Sequence, residues 1–199
     1  MEALRDYFDR QASSWDEMLK YDERVPDLSE AISWFGLGTG QWVLDVGTGT
    51  GILLPLIKQV IGPKGRLIGF DFSFKMLQKA KARPCFGEKA LVSATVDSLP
   101  FHSDLFDRII CFSALPHFPN KLKALLEMVR VLKIGGILCI AHLKSAEELN
   151  EFHKHLGGPV GHDLLPRPER IRSLMRNTGL SRIEVINQTG KFFAQGRKS

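Results

Sequence analysis

The segment VLDVGTGTGILLPLI, residues 43–57, sets the tightest limit on what this chain can fold into. Two apolar runs flank Gly47, Gly49 and Gly51, which stand at alternate positions. A glycine inside a strand or helix is destabilising by roughly 0.5–1 kcal/mol relative to alanine, so a cluster of them marks a turn. VLDV then reads as a strand and ILLPLI as part of a helix. Such a turn lets backbone approach a ligand closely, and the helix behind it offers free N–H groups.

The rest of the chain repeats this alternation. Strands are expected over residues 41–46, 65–71, 89–96, 106–115 and 136–143. Helices are expected from Thr50 to Ile61, closed by Gly62-Pro63, and over residues 73–83, with Ser73 as N-cap. A further helix from Pro119 to Leu132 carries Leu122, Leu125, Leu126 and Val129 on one face and is ended by Gly135-Gly136. The C-terminal part differs. A helix within residues 166–180, closed by Gly179, precedes strands 181–187 and 191–198, whose short Gln188-Thr189-Gly190 connection makes an antiparallel hairpin. The expected fold is α/β: a doubly wound, Rossmann-like sheet of seven strands, mostly parallel, with an antiparallel C-terminal edge hairpin.

About twenty residues beyond the last glycine of the turn comes Asp71, at the end of the second strand, placed to accept from ribose hydroxyls. The glycine spacing is GxGxG, not the GxGxxG of nicotinamide-binding domains. VLDVGTGTG, GFDFSFKMLQKAK, DSLPFHSDLFDRIICFSALPHF and EMVRVLKIGGIL, in that order, resemble the successive motifs of class I S-adenosylmethionine-dependent methyltransferases. The nearest type is the UbiE-like branch, of ubiquinone and menaquinone biosynthesis. The resemblance covers residues 41–142; FDRQASSWDEM also resembles that branch's capping helix.

The resemblance implies S-adenosyl-L-methionine as cofactor and a single methyltransferase domain over 1–199. Residues 1–35 would form capping helices, 41–142 the cofactor-binding core, 143–166 a substrate lid, and 167–199 the last helix and hairpin. Gly47, Thr48, Gly49 and Gly51 would line the methionine and ribose part of the cofactor, braced by Asp45. Asp71 would take the ribose hydroxyls, and Phe72 and Met76 would flank the adenine; Met76 alone reads as core, and its place in DFSFKML is what points to the adenine. The sequence departs from the branch at Thr95, where an acidic residue usually reads the adenine amino group. Asp97 is the substitute, with the Val96 N–H beside it, or else Asp97 is a solvated loop residue.

The acceptor belongs outside the carboxyl ends of strands four and five. Ser113 and His117 follow strand four, and His142 ends strand five. His117 is the candidate base or acceptor-orienting group; the alternative is a histidine that caps the next helix. His142, His153, His155 and His162 lie close in sequence, with Asp163 beside the last. No HxxxH or HExxH spacing is present, so a substrate-lining segment with His153, hinged at Gly157-Gly158-Pro159, is expected rather than a metal site.

Composition narrows the partners. The 199 residues carry a net charge of +5, but the basic residues are dispersed along amphipathic helices, where they form solvated faces rather than a nucleic-acid surface. No apolar run reaches membrane-spanning length, and MEALRDYFDRQ lacks the apolar core of a signal peptide. Cys85, Cys111 and Cys139 fit no disulfide framework, which points to a reducing cytoplasm. A small-molecule methyltransferase is the expected function. Its rivals are a cofactor-binding module without catalysis, an RNA or protein methyltransferase and, more distantly, a nicotinamide dehydrogenase.

Overall fold

The computed structural model describes residues 2–21, 23–83 and 90–199; Cys85 lies outside them. Along the chain run α1 (Glu2–Gln11), α2 (Trp15–Met18), α3 (Val25–Trp34), β1 (Trp42–Val46), α4 (Leu54–Ile61), β2 (Arg66–Asp71), α5 (Phe74–Lys81) and β3 (Leu91–Ser93). They are followed by β4 (Phe106–Phe112), α6 (Lys121–Val131), β5 (Leu132–His142), α7 (Ala146–Leu156), α8 (Pro168–Asn177), β6 (Leu180–Gln188) and β7 (Lys191–Lys198). The strands form one seven-stranded sheet in the order β3-β2-β1-β4-β5-β7-β6. The first five are parallel, and β7 pairs antiparallel with both β5 and β6.

The central strands are apolar on both faces, as a doubly covered parallel sheet requires. Along β1, Val43 faces the layer holding Leu28, Ile32, Leu54 and Ile57 of α3 and α4, whereas Leu44 faces that holding Leu125, Met128 and Leu174 of α6 and α8. In β4, Ile109 and Ile110 divide between the same two layers. Full burial of each such side chain is worth about 1.5–3 kcal/mol. At the end of β7, the Lys198 ammonium donates to the carbonyls of Val129 (2.8 Å) and Leu132 (2.8 Å), groups that the end of α6 leaves unpaired. Chain direction across the sheet reverses between β1 and β4, which opens a crevice at their carboxyl ends.

Local differences from the sequence expectation have physical causes. The helix after the glycine turn begins at Leu54 rather than Thr50. Gly47, Gly49 and Gly51 all hold positive φ, at 76°, 53° and 75°, so helical geometry cannot start before them. Gly135-Gly136 do not end α6, which stops at Val131; they lie inside β5, where the pairing with β4 shifts register between Phe106 and Arg108. The third strand is short, Leu91–Ser93. Residues 143–166 are not a loop. They hold α7, set by a capping box in which Ser145 accepts the Glu148 N–H and Glu148 accepts the Ser145 N–H, and a 3₁₀ turn at Gly158–Val160. Among the described residues no helix is long and apolar enough to cross a membrane.

Candidate active site

A cavity of about 480 Å³ opens at the crevice beside β1 and β4. One end is built from the glycine turn. Asp45, on β1, is buried and accepts the Thr48 hydroxyl at 2.7 Å. Asp71, at the end of β2, accepts the Gly49 N–H at 2.9 Å and the Ser73 N–H at 2.8 Å. Burial pushes the Asp45 carboxyl up to about 7, against the pull of the Thr48 hydrogen bond. Burial likewise raises Asp71 to about 6, against its backbone N–H donors. The turn itself is tied down, since Gly47 and Thr48 donate their N–H groups to the Phe70 carbonyl.

Three histidines form the other end. His117 sits in a 3₁₀ turn after β4, and its Nδ1 lies 2.8 Å from Asp163 Oδ2. His153, on α7, bonds through Nδ1 to the backbone carbonyl of the same Asp163. The His117 and His153 ring centroids are 5.0 Å apart. His142, the last residue of β5, is 1% exposed, and neither ring nitrogen has a partner. Burial, with His117 and His153 close by, pulls its pKa down to about 3, so it is neutral at ordinary pH. Burial also lowers the pKa of His153.

Most of the residues singled out in the sequence meet here. Asp45, Gly47, Thr48, Gly49, Asp71, Phe72, Met76, Ser113, His117, His142 and His153 all line the cavity. Ser113 holds φ 53°, an uncommon conformation for a non-glycine residue. Gly51 lies outside the wall: a Cβ there would stand 2.9 Å from both Ala80 and Leu54, so this glycine lets α5 and α4 approach each other. Val96 is in the core beneath. Asp97 is also outside the wall; it is half-buried in a turn, and its Oδ1 is buried without a partner among the described residues. His155 bonds to the Glu151 carbonyl and, like His162, is exposed.

Other residues of the site lie in the FDRQASSWDEM segment, which was expected as a capping helix but without individual roles. Phe8 of α1 packs edge-on against Phe72 and His117, with centroids at 5.7 and 5.1 Å. Asp9 accepts the Ser73 hydroxyl and the Lys75 N–H; Asp16 accepts the Thr50 hydroxyl and pairs with Arg83. The N-terminal helices are thereby tied to both edges of the glycine-turn end. From the opposite side, Val160 joins Leu4, Phe8 and Met76 in one apolar cluster. These are contacts between distant segments, which local pattern does not reveal.

A family model described as a methyltransferase domain matches residues 38–177 of this chain. Over 188 residues the chain is 30% identical to the ubiquinone/menaquinone biosynthesis C-methyltransferase UbiE of Vibrio vulnificus, covering 81% of this chain and 72% of that protein. The chain is a UbiE-like class I S-adenosylmethionine-dependent methyltransferase. This methyltransferase is also 33% identical over 129 residues to the chloroplastic 2-phytyl-1,4-beta-naphthoquinone methyltransferase of Arabidopsis thaliana, covering 61% of this chain and 49% of that one. Its fold matches a SAM-dependent methyltransferase of Thermotoga maritima with a TM-score of 0.78 at 19% identity, over 96% of this chain and 98% of that one. S-adenosylmethionine is the family's methyl donor, and the glycine-turn end of the cavity fits it. A Cβ on Gly49 would meet nothing within 4 Å, so the turn presents bare backbone to open space. The two carboxylates beside it suit a ligand that brings hydroxyl donors and positive charge.

Proposed function

We propose that this methyltransferase acts on a small, largely apolar molecule seated at the histidine end of the cavity, and that the acceptor is a reduced quinone ring methylated on carbon. The observation that carries the reading is continuity: a single cavity joins Asp71 and Gly49 to His117, His142 and His153. Leu149, Phe152 and Leu156 of α7 and Met18 and Leu19 of the N-terminal segment complete its wall, which suits an apolar ring. The quinone-related names of the Vibrio and Arabidopsis relatives support the finer choice.

Bound S-adenosylmethionine supplies a methyl group on a sulfonium, electrophilic toward an electron pair of the acceptor and released from a leaving group that departs as a neutral thioether. The chain's own work is positioning, proton handling and exclusion of water. Gly47, Thr48 and Gly49 would cradle the donor, with Asp45 holding Thr48 and Gly51 keeping α4 and α5 close behind. Asp71 would accept from the ribose. Phe72 and Met76, which line the cavity, would flank the adenine, and Asp97 with the Val96 N–H would read it only if their turn moves toward the cavity. Ser113 stands between the two ends. His117 would take a proton from the acceptor, while His142 and His153 contact it. The N-terminal helices and residues 143–166 would close over both ligands as a lid.

The test is incubation with methyl-labelled S-adenosylmethionine and 1,4-dihydroxynaphthalene kept reduced. The expected result is label on a ring carbon and release of S-adenosylhomocysteine. Label on oxygen alone would overturn carbon methylation, and no transfer to reduced quinones of any ring size would overturn the acceptor class.

A further inference from the structure

The histidine end carries a chemical instruction that goes deeper than the proposed function, on which it rests. Asp163 lies between α7 and α8 and serves two histidines at once. Its backbone carbonyl can only accept, so His153 Nδ1 carries a hydrogen. Its carboxylate accepts from His117 Nδ1, which therefore carries a hydrogen too. In the neutral rings both Nε2 atoms are then bare lone pairs, and no donor among the described residues bonds to either of them. His142, neutral and buried, adds two ring nitrogens without partners. A buried polar atom left unpaired is costly, and the groups kept so in a native structure are those that a ligand completes.

We infer that Asp163 is a positioning residue that turns the bare Nε2 of His117 toward the acceptor as a directional base, and that His142 selects an acceptor bearing a neutral hydroxyl group. The groups facing His117 agree with this. From β5 comes neutral His142, from α7 His153, from the following connection Asp163, and from α1 the apolar ring of Phe8. Lys121 donates to the carbonyls of Pro116 (3.0 Å) and Phe118 (3.2 Å). Of the cations that line the cavity, Lys20 and Arg24 pair with Glu23 and Asp27, and Lys144 lies over the Phe152 ring at 5.4 Å. Against the histidines themselves, bare lone pairs disfavour a carboxylate or phosphate and favour an O–H donor. The O–H proton passes to His117 Nε2 and the bond pair is delocalised to the ring carbon that takes the methyl; that carbon then loses its hydrogen as a proton to water, and the imidazolium returns its proton to the oxygen, restoring the hydroxyl. Among the described residues no three His, Cys, Asp or Glu groups are placed to ligate a metal.

Two measurements on the protein loaded with S-adenosylhomocysteine test this without requiring turnover, so they can fail independently of the acceptor assignment. In the first, calorimetry compares 1-naphthol, 1-methoxynaphthalene and 1-naphthoate. The wild type should bind the naphthol at least tenfold tighter than the methoxy compound and should not bind the anion measurably. His142→Leu should shrink the preference to within twofold, and His142→Gln, which keeps hydrogen-bonding groups, should retain part of it. Equal binding of naphthol and its methyl ether by the wild type, or tighter binding of the anion, overturns the selection. In the second, ¹⁵N NMR of the histidine rings should show a single Nδ1–H tautomer for both His117 and His153. Asp163→Ala should scramble His117 alone, because the carbonyl that holds His153 remains. If His117 keeps its tautomer, or if both rings change together, Asp163 is not a positioning residue. One equivalent of zinc in purified protein, lost in His142→Leu, would overturn the hydroxyl reading in favour of a metal.

Discussion

The two ends of the cavity both hold buried polar side chains but treat them in opposite ways. At the glycine-turn end, Asp45 and Asp71 have protein partners: a hydroxyl for one and two backbone N–H groups for the other. At the histidine end, His142 has none, and His117 and His153 are each bonded through one nitrogen only. The first end is preorganised around a ligand whose chemistry is common to the whole family. The second leaves hydrogen-bonding capacity open for a molecule particular to this chain. Satisfied polar groups stabilise the fold with or without ligand, whereas orphaned ones destabilise the free protein and are compensated only on binding.

The contrast can be broken hardest at Gly49. Its φ of 53° is a conformation that β-branched residues almost never adopt, and a side chain there would project into the donor's space. Gly49→Val should leave a folded protein with no measurable S-adenosylmethionine binding by calorimetry; normal binding would make the turn merely structural. Asp71→Ala comes next. Removing this acceptor should weaken donor binding by about 1–3 kcal/mol, the range for a hydrogen bond to a charged group. Unchanged affinity would remove Asp71 from the ribose. Asp97→Ala should have the smallest effect, a severalfold loss of affinity, since it removes one acceptor at the edge of the site. A change confined to thermal stability would return Asp97 to the fold alone.

The same contrast explains what the sequence could disclose. The glycine turn and Asp71 lie within about thirty residues, on a strand–turn–helix–strand unit whose geometry is local, so spacing pointed to them, whereas the bracing role of Asp45 came from the family resemblance. The terminal hairpin was legible for the same reason, from Gln188-Thr189-Gly190 between two strand-like runs. The histidine end is assembled from β4, β5, α7 and the connection after it, and nothing local pairs His117 with Asp163 across 46 positions. Strand ends did point to His117 and His142. Residues 143–166 were legible only as a lid, although the Ser145-x-x-Glu148 capping box is a local signal for the start of α7. The FDRQASSWDEM segment was legible as a capping helix, but its spacing does not disclose that Asp9 meets Ser73 and Asp16 meets Thr50.

The central claim, that one end is satisfied and the other is not, is tested most directly by thermal unfolding of two variants of the ligand-free protein. Thr48→Val strips Asp45 of its hydroxyl partner and leaves a buried carboxyl orphaned, at a cost of about 1–3 kcal/mol. His142→Leu removes two orphaned nitrogens and leaves an apolar side chain against Phe192. The Tm should therefore fall in the first variant and rise in the second. Acidity should widen the second difference. The unfolded histidine takes up a proton near its ordinary pKa of about 6.5, whereas the buried one resists until about 3. The wild type thus loses stability as pH falls below the ordinary value, and the leucine variant lacks that loss. A rise in Tm for His142→Leu that grows from pH 7 to pH 5, beside a fall for Thr48→Val, is the predicted result. A fall in Tm for His142→Leu at both pH values would contradict the account, because it would show that His142 already has its partner within the fold.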